Sequence, residues 1–139
     1  MSLFIFDTDI LTLFERMHPA VIRNIFFHLA EDIQISSITI EEQISGWFKL
    51  LRTARTPQEV EVAHTRLAEV VRFLGTWDII TFSAAAEARY QALLRLHLNV
   101  GGNDLRIAAI ALEAGATVVT GNLRDFRRVP GLLCEDWSV

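Results

Sequence analysis

Four acidic residues occupy positions from which their side chains could act together. Asp7 directly follows a short apolar run, and Asp125 comes five residues after Thr120, where another apolar run ends. Asp104 lies in the first turn of a helical pattern, and Glu42 lies near the start of another. We expect all four carboxylates to face one pocket.

A cluster of carboxylates requires a cation. Two unit charges about 4 Å apart repel by roughly 4 kcal/mol at an effective dielectric constant near 20. A site that offers oxygen ligands without cysteine or histidine suits Mg²⁺ or Mn²⁺. A metal ion held in this way can orient a water molecule and stabilise charge on a phosphoryl group, so the predicted chemistry is metal-assisted hydrolysis of a phosphodiester.

Each acid also has a structural explanation. Asp7 and Asp104 could favour helix N-termini through capping and the helix macrodipole. Asp125 could be a turn residue in a loop, and Glu42 could be a solvated residue on a helix. Their joint placement favours the metal site over four separate structural roles.

The elements that would position these acids alternate between short apolar runs and long helical patterns. Strands are predicted over 3–6, 33–36, 77–82 and 117–120, with 132–134 as a candidate fifth. Helices are predicted over 8–16, 19–30, 39–53, 57–74, 84–97 and from the Asn103 cap to Gly115. This alternation predicts a three-layer α/β/α domain with a central parallel sheet of four to five strands. In such sheets functional groups gather at the carboxyl ends of the strands.

Length and composition limit the class of protein. The 139 residues fit a single domain, 1–139, and the 51% of hydrophobic residues suffice for a core. No apolar run approaches the roughly 20 residues of a membrane span. Asp7 interrupts the opening run too early for a signal peptide. We therefore expect a cytoplasmic protein without a membrane association, and the single cysteine, Cys134, excludes an internal disulfide.

The charge balance excludes a generic polyanion binder but leaves room for nucleic acid. The formal net charge is −4, yet twelve of the thirteen basic residues are arginines, Lys49 being the exception. Arginine suits forked contact with phosphate, although genomic base composition explains the same bias. Arg124, Arg127 and Arg128 flank Asp125, and we expect Arg127 and Arg128 to contact phosphate groups of a substrate; surface solvation is the alternative.

Four segments in order resemble the motifs of PIN-domain ribonucleases, and in particular the VapC-type toxins of prokaryotic toxin–antitoxin pairs. The segments are 6–11, 37–42 followed by Gly46, 103–111, and 120–126 followed by 129–132. The resemblance spans nearly the whole chain, and the segment 103–111 is the most specific match. A single motif of this length would be weak support, whereas four in the right order are strong support.

The resemblance implies an endoribonuclease that depends on Mg²⁺ or Mn²⁺. The residues that would surround the metal are Asp7, Glu42, Asp104 and Asp125. The residues that would position acids, water or substrate beside it are Thr8, Thr120 and Asn122. The family also implies a homodimer and a small VapB-type antitoxin that occupies the active-site groove. The helices that contain Trp47, Phe48 and 60–74 are apolar enough to supply a groove for an antitoxin helix, or are ordinary core.

Two acidic residues depart from the motif pattern or compete with it. Asp9 stands where the family more often has asparagine, so it either adds a fifth acid near the pocket or caps a helix. Glu41 precedes Glu42, and adjacent helix positions point about 100° apart, so both are not expected to face one metal. We assign the family glutamate to Glu42.

Two other function classes compete with this interpretation. The segment 6–9 also resembles the nucleophile motif of haloacid-dehalogenase-type phosphatases, in which the first aspartate becomes phosphorylated. That family requires threonine or valine where Leu11 stands and a downstream lysine, and no lysine follows Lys49. The other alternative is a non-catalytic PIN-like module that binds RNA or a protein, against which the complete set of four acids argues.

Overall fold

The computed structural model describes residues 2–139, so Met1, which opens the first apolar run, lies outside it. The strands are β1 (Phe4–Phe6), β2 (Ile33–Ser36), β3 (Asp78–Ile80), β4 (Thr117–Val119) and β5 (Leu133–Glu135). The helices are α1 (Thr8–Glu15), α2 (Pro19–Ile25), α3 (Ser37–Thr53), α4 (Pro57–Leu74), α5 (Ala84–Leu94), α6 (Gly102–Ala114) and α7 (Leu123–Phe126), with a 3₁₀ turn at Ala30–Asp32.

The five strands form one parallel sheet in the order β3-β2-β1-β4-β5. In register, Phe6 of β1 lies beside Ile35 of β2 and Val119 of β4. The strands therefore end at a common edge, with β1 in the middle. The expected α/β/α class with a parallel sheet is confirmed, and the candidate fifth strand is present.

Helices cover both faces of the sheet, and successive residues of β1 alternate between two cores. Ile5 packs with α5 and α6 on one face. Phe4 and Phe6 pack on the other face with residues of α1, α2 and α4. All three residues of β1 are buried, as expected for a central parallel strand. This burial fixes the position of the residue that follows the strand, Asp7.

Two tryptophans enclose the end of β1. The ring of Phe6 lies 5.6 Å from that of Trp77 and 5.5 Å from that of Trp137. His28 stacks on Trp137 with ring centroids 4.2 Å apart. The segment after β5 is thereby packed against the same face of the sheet as α1 and α4.

Direct strand-to-helix turns place the motifs at the sheet edge. Asp7 caps α1, and Ser36 caps α3 by accepting a hydrogen bond from the backbone N–H of Thr39 at 3.2 Å. A cap of this kind contributes about 0.5–2 kcal/mol. Because β2 passes into α3 without a loop, Glu42 lies within two turns of the sheet edge.

Several predicted boundaries are wrong for identifiable reasons. Helix α3 begins two residues before Thr39, because Ser36 supplies the cap. The second helix ends at Ile25 rather than at residue 30, and the Nδ1 atom of His28 bonds the carbonyl of Asn24 at 2.8 Å. Helix α5 ends at Leu94 rather than at residue 97, where φ is 51° and therefore incompatible with a right-handed helix.

Two predictions near the site are also wrong. Asn103 does not cap α6: the helix begins at Gly102, and Gly101 is its N-cap without a side-chain hydrogen bond. The Oδ1 atom of Asn103 instead accepts a hydrogen bond from Nη1 of Arg106 at 3.0 Å. Asp125 does not lie in a loop but in the four-residue helix α7.

Candidate functional site

Asp7 lies at the centre of the sheet edge and is almost fully buried, with 5% of its surface exposed. Its Oδ1 atom accepts a hydrogen bond from the N–H of Ile10 at 3.1 Å, which caps α1. Its Oδ2 atom accepts a short hydrogen bond from the hydroxyl of Thr120 at the end of β4. Asp7 therefore caps α1, as its structural explanation predicts, and is also hydrogen-bonded to the end of the neighbouring strand.

The environment of Asp7 disfavours its ionised form. Burial, followed by the hydrogen bond and the negative charge of Asp9, raises the pKa of Asp7 to about 9. The hydrogen bonds from Thr120 and from the backbone of Ile10 lower the pKa of Asp7, but by less than burial and Asp9 raise it. A carboxyl in such surroundings ionises readily only when a cation is beside it.

Asp104 lies in the first turn of α6, and its pKa is affected by the other acids. Burial raises its pKa, and the charges of Glu42, Asp9 and Asp125 raise it further, while the side chain of Asn122 lowers it. The fold therefore brings four predicted acids and the additional Asp9 to the same edge of the sheet. Asp9 also lies close to Gly121: its Oδ2 atom is 3.6 Å from the position that a Cβ atom on this glycine would occupy.

Asp125 is held by hydrogen bonds on both of its oxygens. Nδ2 of Asn122 donates to Oδ2 at 3.0 Å, and Nη1 of Arg128 donates to Oδ1 at 3.1 Å. The backbone N–H of Asn122 in turn donates to Oγ1 of Thr120 at 2.8 Å. A continuous set of hydrogen bonds thus runs from Asp7 through Thr120 and Asn122 to Asp125.

Glu42 contacts one threonine, which in turn contacts a second. Oε1 of Glu42 lies 2.9 Å from Oγ1 of Thr8, which lies 3.1 Å from Oγ1 of Thr39. Thr8 is among the predicted site residues, whereas Thr39 is not. Its signal in the sequence is its position three residues before Glu42, which places both on one face of a helix. Glu41, the competing acid, is exposed.

The basic residues near the site differ in their contacts. Nη1 of Arg128 also donates to the carbonyl of Asn99 at 2.8 Å, so this side chain links α7 to the segment before α6. Arg127 lies beside Cys134 of β5; burial raises the pKa of that thiol, and the charge of Arg127 lowers it. The structure thus directs Arg128 toward the acids and Arg127 toward an edge strand.

The chemistry of the donors fits a hard divalent cation. The acids offer only oxygen atoms, which Mg²⁺ and Mn²⁺ prefer. In the described residues 2–139, Asp125 forms an ion pair with Arg128, whereas Asp7, Glu42 and Asp104 form none. No basic side chain in the described residues therefore pairs with these three carboxyl groups. Within that part of the chain, no three His, Cys, Asp or Glu side chains are gathered closely enough to hold a metal ion as they stand.

A groove is present on the helical side of the domain. It has a volume of about 670 Å³ and lies between the end of α1, α3 and α4, where Trp47, Val70 and Phe73 line it. A second hollow of about 370 Å³ shares Trp47 with the groove and reaches Glu42 and Thr8. The predicted apolar helices therefore line a groove that adjoins the hollow at Glu42.

Comparison with known proteins gives consistent matches along the chain. The sequence model of the PIN domain family matches residues 4–132. Ribonuclease VapC2 of Rickettsia felis is 32% identical over 143 residues, which cover 98% of this chain and 98% of that protein. The tRNA(fMet)-specific endonuclease VapC of Salmonella typhimurium is 37% identical over 137 residues, with 99% of both chains covered.

Solved structures agree with the sequence matches. VapBC2 from Rickettsia felis, bound to a DNA fragment from its promoter, has a TM-score of 0.74 and 31% identity over 97% of this chain and 98% of that chain. DNA-bound VapBC from Salmonella typhimurium has a TM-score of 0.75 and 30% identity, with 99% of each chain covered. The chain therefore belongs to the PIN-domain family and, within it, to the VapC ribonucleases.

Proposed function

We propose that residues 1–139 form one PIN domain that acts as the toxin of a VapBC-type pair and hydrolyses RNA phosphodiester bonds in the presence of Mg²⁺ or Mn²⁺. The observation that carries this proposal is the convergence of Asp7, Glu42, Asp104 and Asp125 at one sheet edge, with Arg128 as their single basic partner in the described chain. The phosphoryl-aspartate alternative has no such use for Glu42 and Asp125.

Asp7 and Asp104 are the principal candidates to hold the metal, with Glu42 and Asp125 completing the set. The bound metal would activate water and stabilise charge on the phosphoryl oxygens. Thr120 orients Asp7 through its hydroxyl. Asn122 orients Asp125 and lies beside Asp104. These hydrogen-bond donors hold the carboxylates in place and leave the other lone pairs of the carboxylate oxygens available.

RNA would be positioned by arginines at the rim of the site. Arg128 keeps further N–H donors after its contacts with Asp125 and Asn99, because a guanidinium carries five. Contacts with phosphate by Arg127 and Arg128 would fix the position of the strand without reading its sequence.

The relatives suggest the substrate and partners to examine first. Because the Salmonella relative at 37% identity is a tRNA(fMet)-specific endonuclease, tRNA(fMet) is the first RNA to assay. The related structures are VapBC complexes, so we propose a VapB-type antitoxin that places its tail at the active site and a helix in the groove beside Trp47. We also propose a homodimer and a cytoplasmic location, where the RNA substrates occur. Of the helices within residues 2–139, none combines the length and hydropathy that crossing a membrane requires.

Cleavage of labelled RNA by the purified protein tests this function. Wild type with Mg²⁺ or Mn²⁺ should cut tRNA(fMet) or another RNA of a cellular pool, and EDTA should abolish the cutting. The double variant Asp7→Asn with Asp104→Asn, checked for equal folding by circular dichroism, should be inactive, which excludes a contaminating nuclease. Equal RNA binding by both proteins without cleavage of any RNA in the pool would support the non-catalytic module instead.

A further inference from the structure

Thr39 is a buried polar residue outside the set that is proposed to hold the metal or to position the substrate. It lies in α3 one turn before Glu42, and none of its surface is exposed. Its backbone N–H is bonded to Ser36, so the helix cap does not depend on its side chain. Valine would fill the same volume, which means that packing alone does not call for the hydroxyl.

The hydrogen bonds around Thr8 determine which hydroxyl is the donor in the contact between Thr39 and Thr8. Oγ1 of Thr8 lies 2.9 Å from Oε1 of Glu42 and 3.1 Å from Oγ1 of Thr39, but a hydroxyl has one hydrogen to donate. The carboxylate is the nearer and the stronger acceptor. Thr8 therefore donates to Glu42, and the Thr39 hydroxyl completes the second contact by donating to Thr8.

We propose that Thr39 is a positioning residue for Glu42 and acts through the hydroxyl of Thr8. This inference rests on the proposed function, in which Glu42 belongs to the metal site. The donation from Thr39 occupies a lone pair of Thr8, fixes the rotamer of that side chain and strengthens its own donation to Glu42. One oxygen of a long, half-buried side chain is thereby held in a single orientation before metal or RNA arrives.

Binding of Mn²⁺ to the metal-free protein is the first test. Thr39→Val should weaken Mn²⁺ binding about fivefold, the effect of removing one hydrogen bond, whereas Thr39→Ser should stay within about twofold of wild type. With RNA, Thr39→Val should lower kcat by a similar factor at unchanged KM. The matched control is Thr53→Val, which removes an exposed hydroxyl at the far end of the same helix.

A second measurement needs neither metal nor activity. Urea denaturation in EDTA of Thr39→Val, Glu42→Gln and their combination should give non-additive shifts in stability, because Thr39 reaches Glu42 through Thr8. The same pair of substitutions should become additive in a Thr8→Val background.

Three results would overturn the role of Thr39. The first is that the effects of Thr39→Val and Glu42→Gln on stability are additive when Thr8 is present. The second is that Thr39→Ser and Thr39→Val lose the same amount of Mn²⁺ affinity. The third is that Thr39→Val binds Mn²⁺ as tightly as wild type. If wild type neither binds Mn²⁺ nor cleaves RNA, the proposed function fails, and the denaturation cycle still decides whether Thr39 is coupled to Glu42.

Discussion

At the scale of single residues, acids of the candidate site make structural contacts as well as lying close to one another. Asp7 caps α1 and also accepts a hydrogen bond from Thr120 on β4. Asp125 anchors Asn122 and Arg128 and also faces the charge of Asp104. A capping role is therefore no argument against a role in metal binding, because each carboxylate has two oxygens and several lone pairs.

The buried carboxyl of Asp7 should make the stability of the metal-free protein depend on pH. Its pKa of about 9 in the folded state lies far above the ordinary value, so between pH 4 and 9 the native state keeps a proton that the unfolded state has lost. Stability in EDTA should therefore fall as pH rises through this range. Asp7→Asn, which retains a cap acceptor, should be more stable than wild type at pH 8 by at least about 1 kcal/mol.

Urea denaturation in EDTA at pH 5 and pH 8 measures this effect. The control is Asp78→Asn, which removes an exposed carboxyl from edge strand β3. An advantage of Asp7→Asn that does not grow between the two pH values would show that Asp7 is not held neutral in the metal-free protein.

At the scale of elements, long periodic segments are predictable, and short ones that depend on distant contacts are not. The bounds of β2 and the end of α6 at Gly115 follow the sequence pattern. Helix α7 has four residues, too few to show a helical period, which is why Asp125 is wrongly predicted in a loop. The contact of Arg128 with the carbonyl of Asn99 joins residues 29 positions apart, and no local spacing encodes it.

Arg127 and Arg128 follow α7 and should contribute to the salt dependence of RNA binding. Replacing both with alanine should weaken binding and reduce the slope of log affinity against log salt by about 0.7 for each phosphate that the two side chains neutralise in wild type. Electrophoretic or fluorescence titration in EDTA, at several salt concentrations, measures this without cleavage.

Arg52→Ala with Arg55→Ala changes the net charge equally on exposed residues at the end of α3 and serves as the control. A slope that is unchanged in the Arg127 and Arg128 variant would refute the phosphate contacts. Because Arg128 also pairs with Asp125, its single substitution should affect activity more than that of Arg127.

At the scale of the whole molecule, the sequence motifs predict the sheet edge that collects the acids, but not the connections among them. The α/β/α class and the order of the motifs are sufficient to bring Asp7, Asp104 and Glu42 to one edge. The role of Thr39 and the pairing of Arg128 depend on how separate elements face each other. These features therefore appear only when the tertiary structure is known.

The groove between α1, α3 and α4 should be needed for the antitoxin more than for RNA. Trp47→Ala should weaken binding of the cognate antitoxin at least about tenfold, because buried aromatic residues dominate such interfaces. Isothermal titration calorimetry measures the affinity. Phe48→Ala, at an exposed neighbour outside the lining of the groove, should change it little. Equal effects of the two substitutions would place the antitoxin elsewhere.

The tryptophans around β1 supply an optical probe of this strand. Trp77 and Trp137 both contact the ring of Phe6, the residue that precedes Asp7, while Trp47 packs against the same core and lines the groove. Indole fluorescence therefore has two sources that report on the strand carrying Asp7 and one that reports on the groove. With Trp47 replaced by phenylalanine, the remaining emission would come only from the two tryptophans that contact Phe6, without an attached dye.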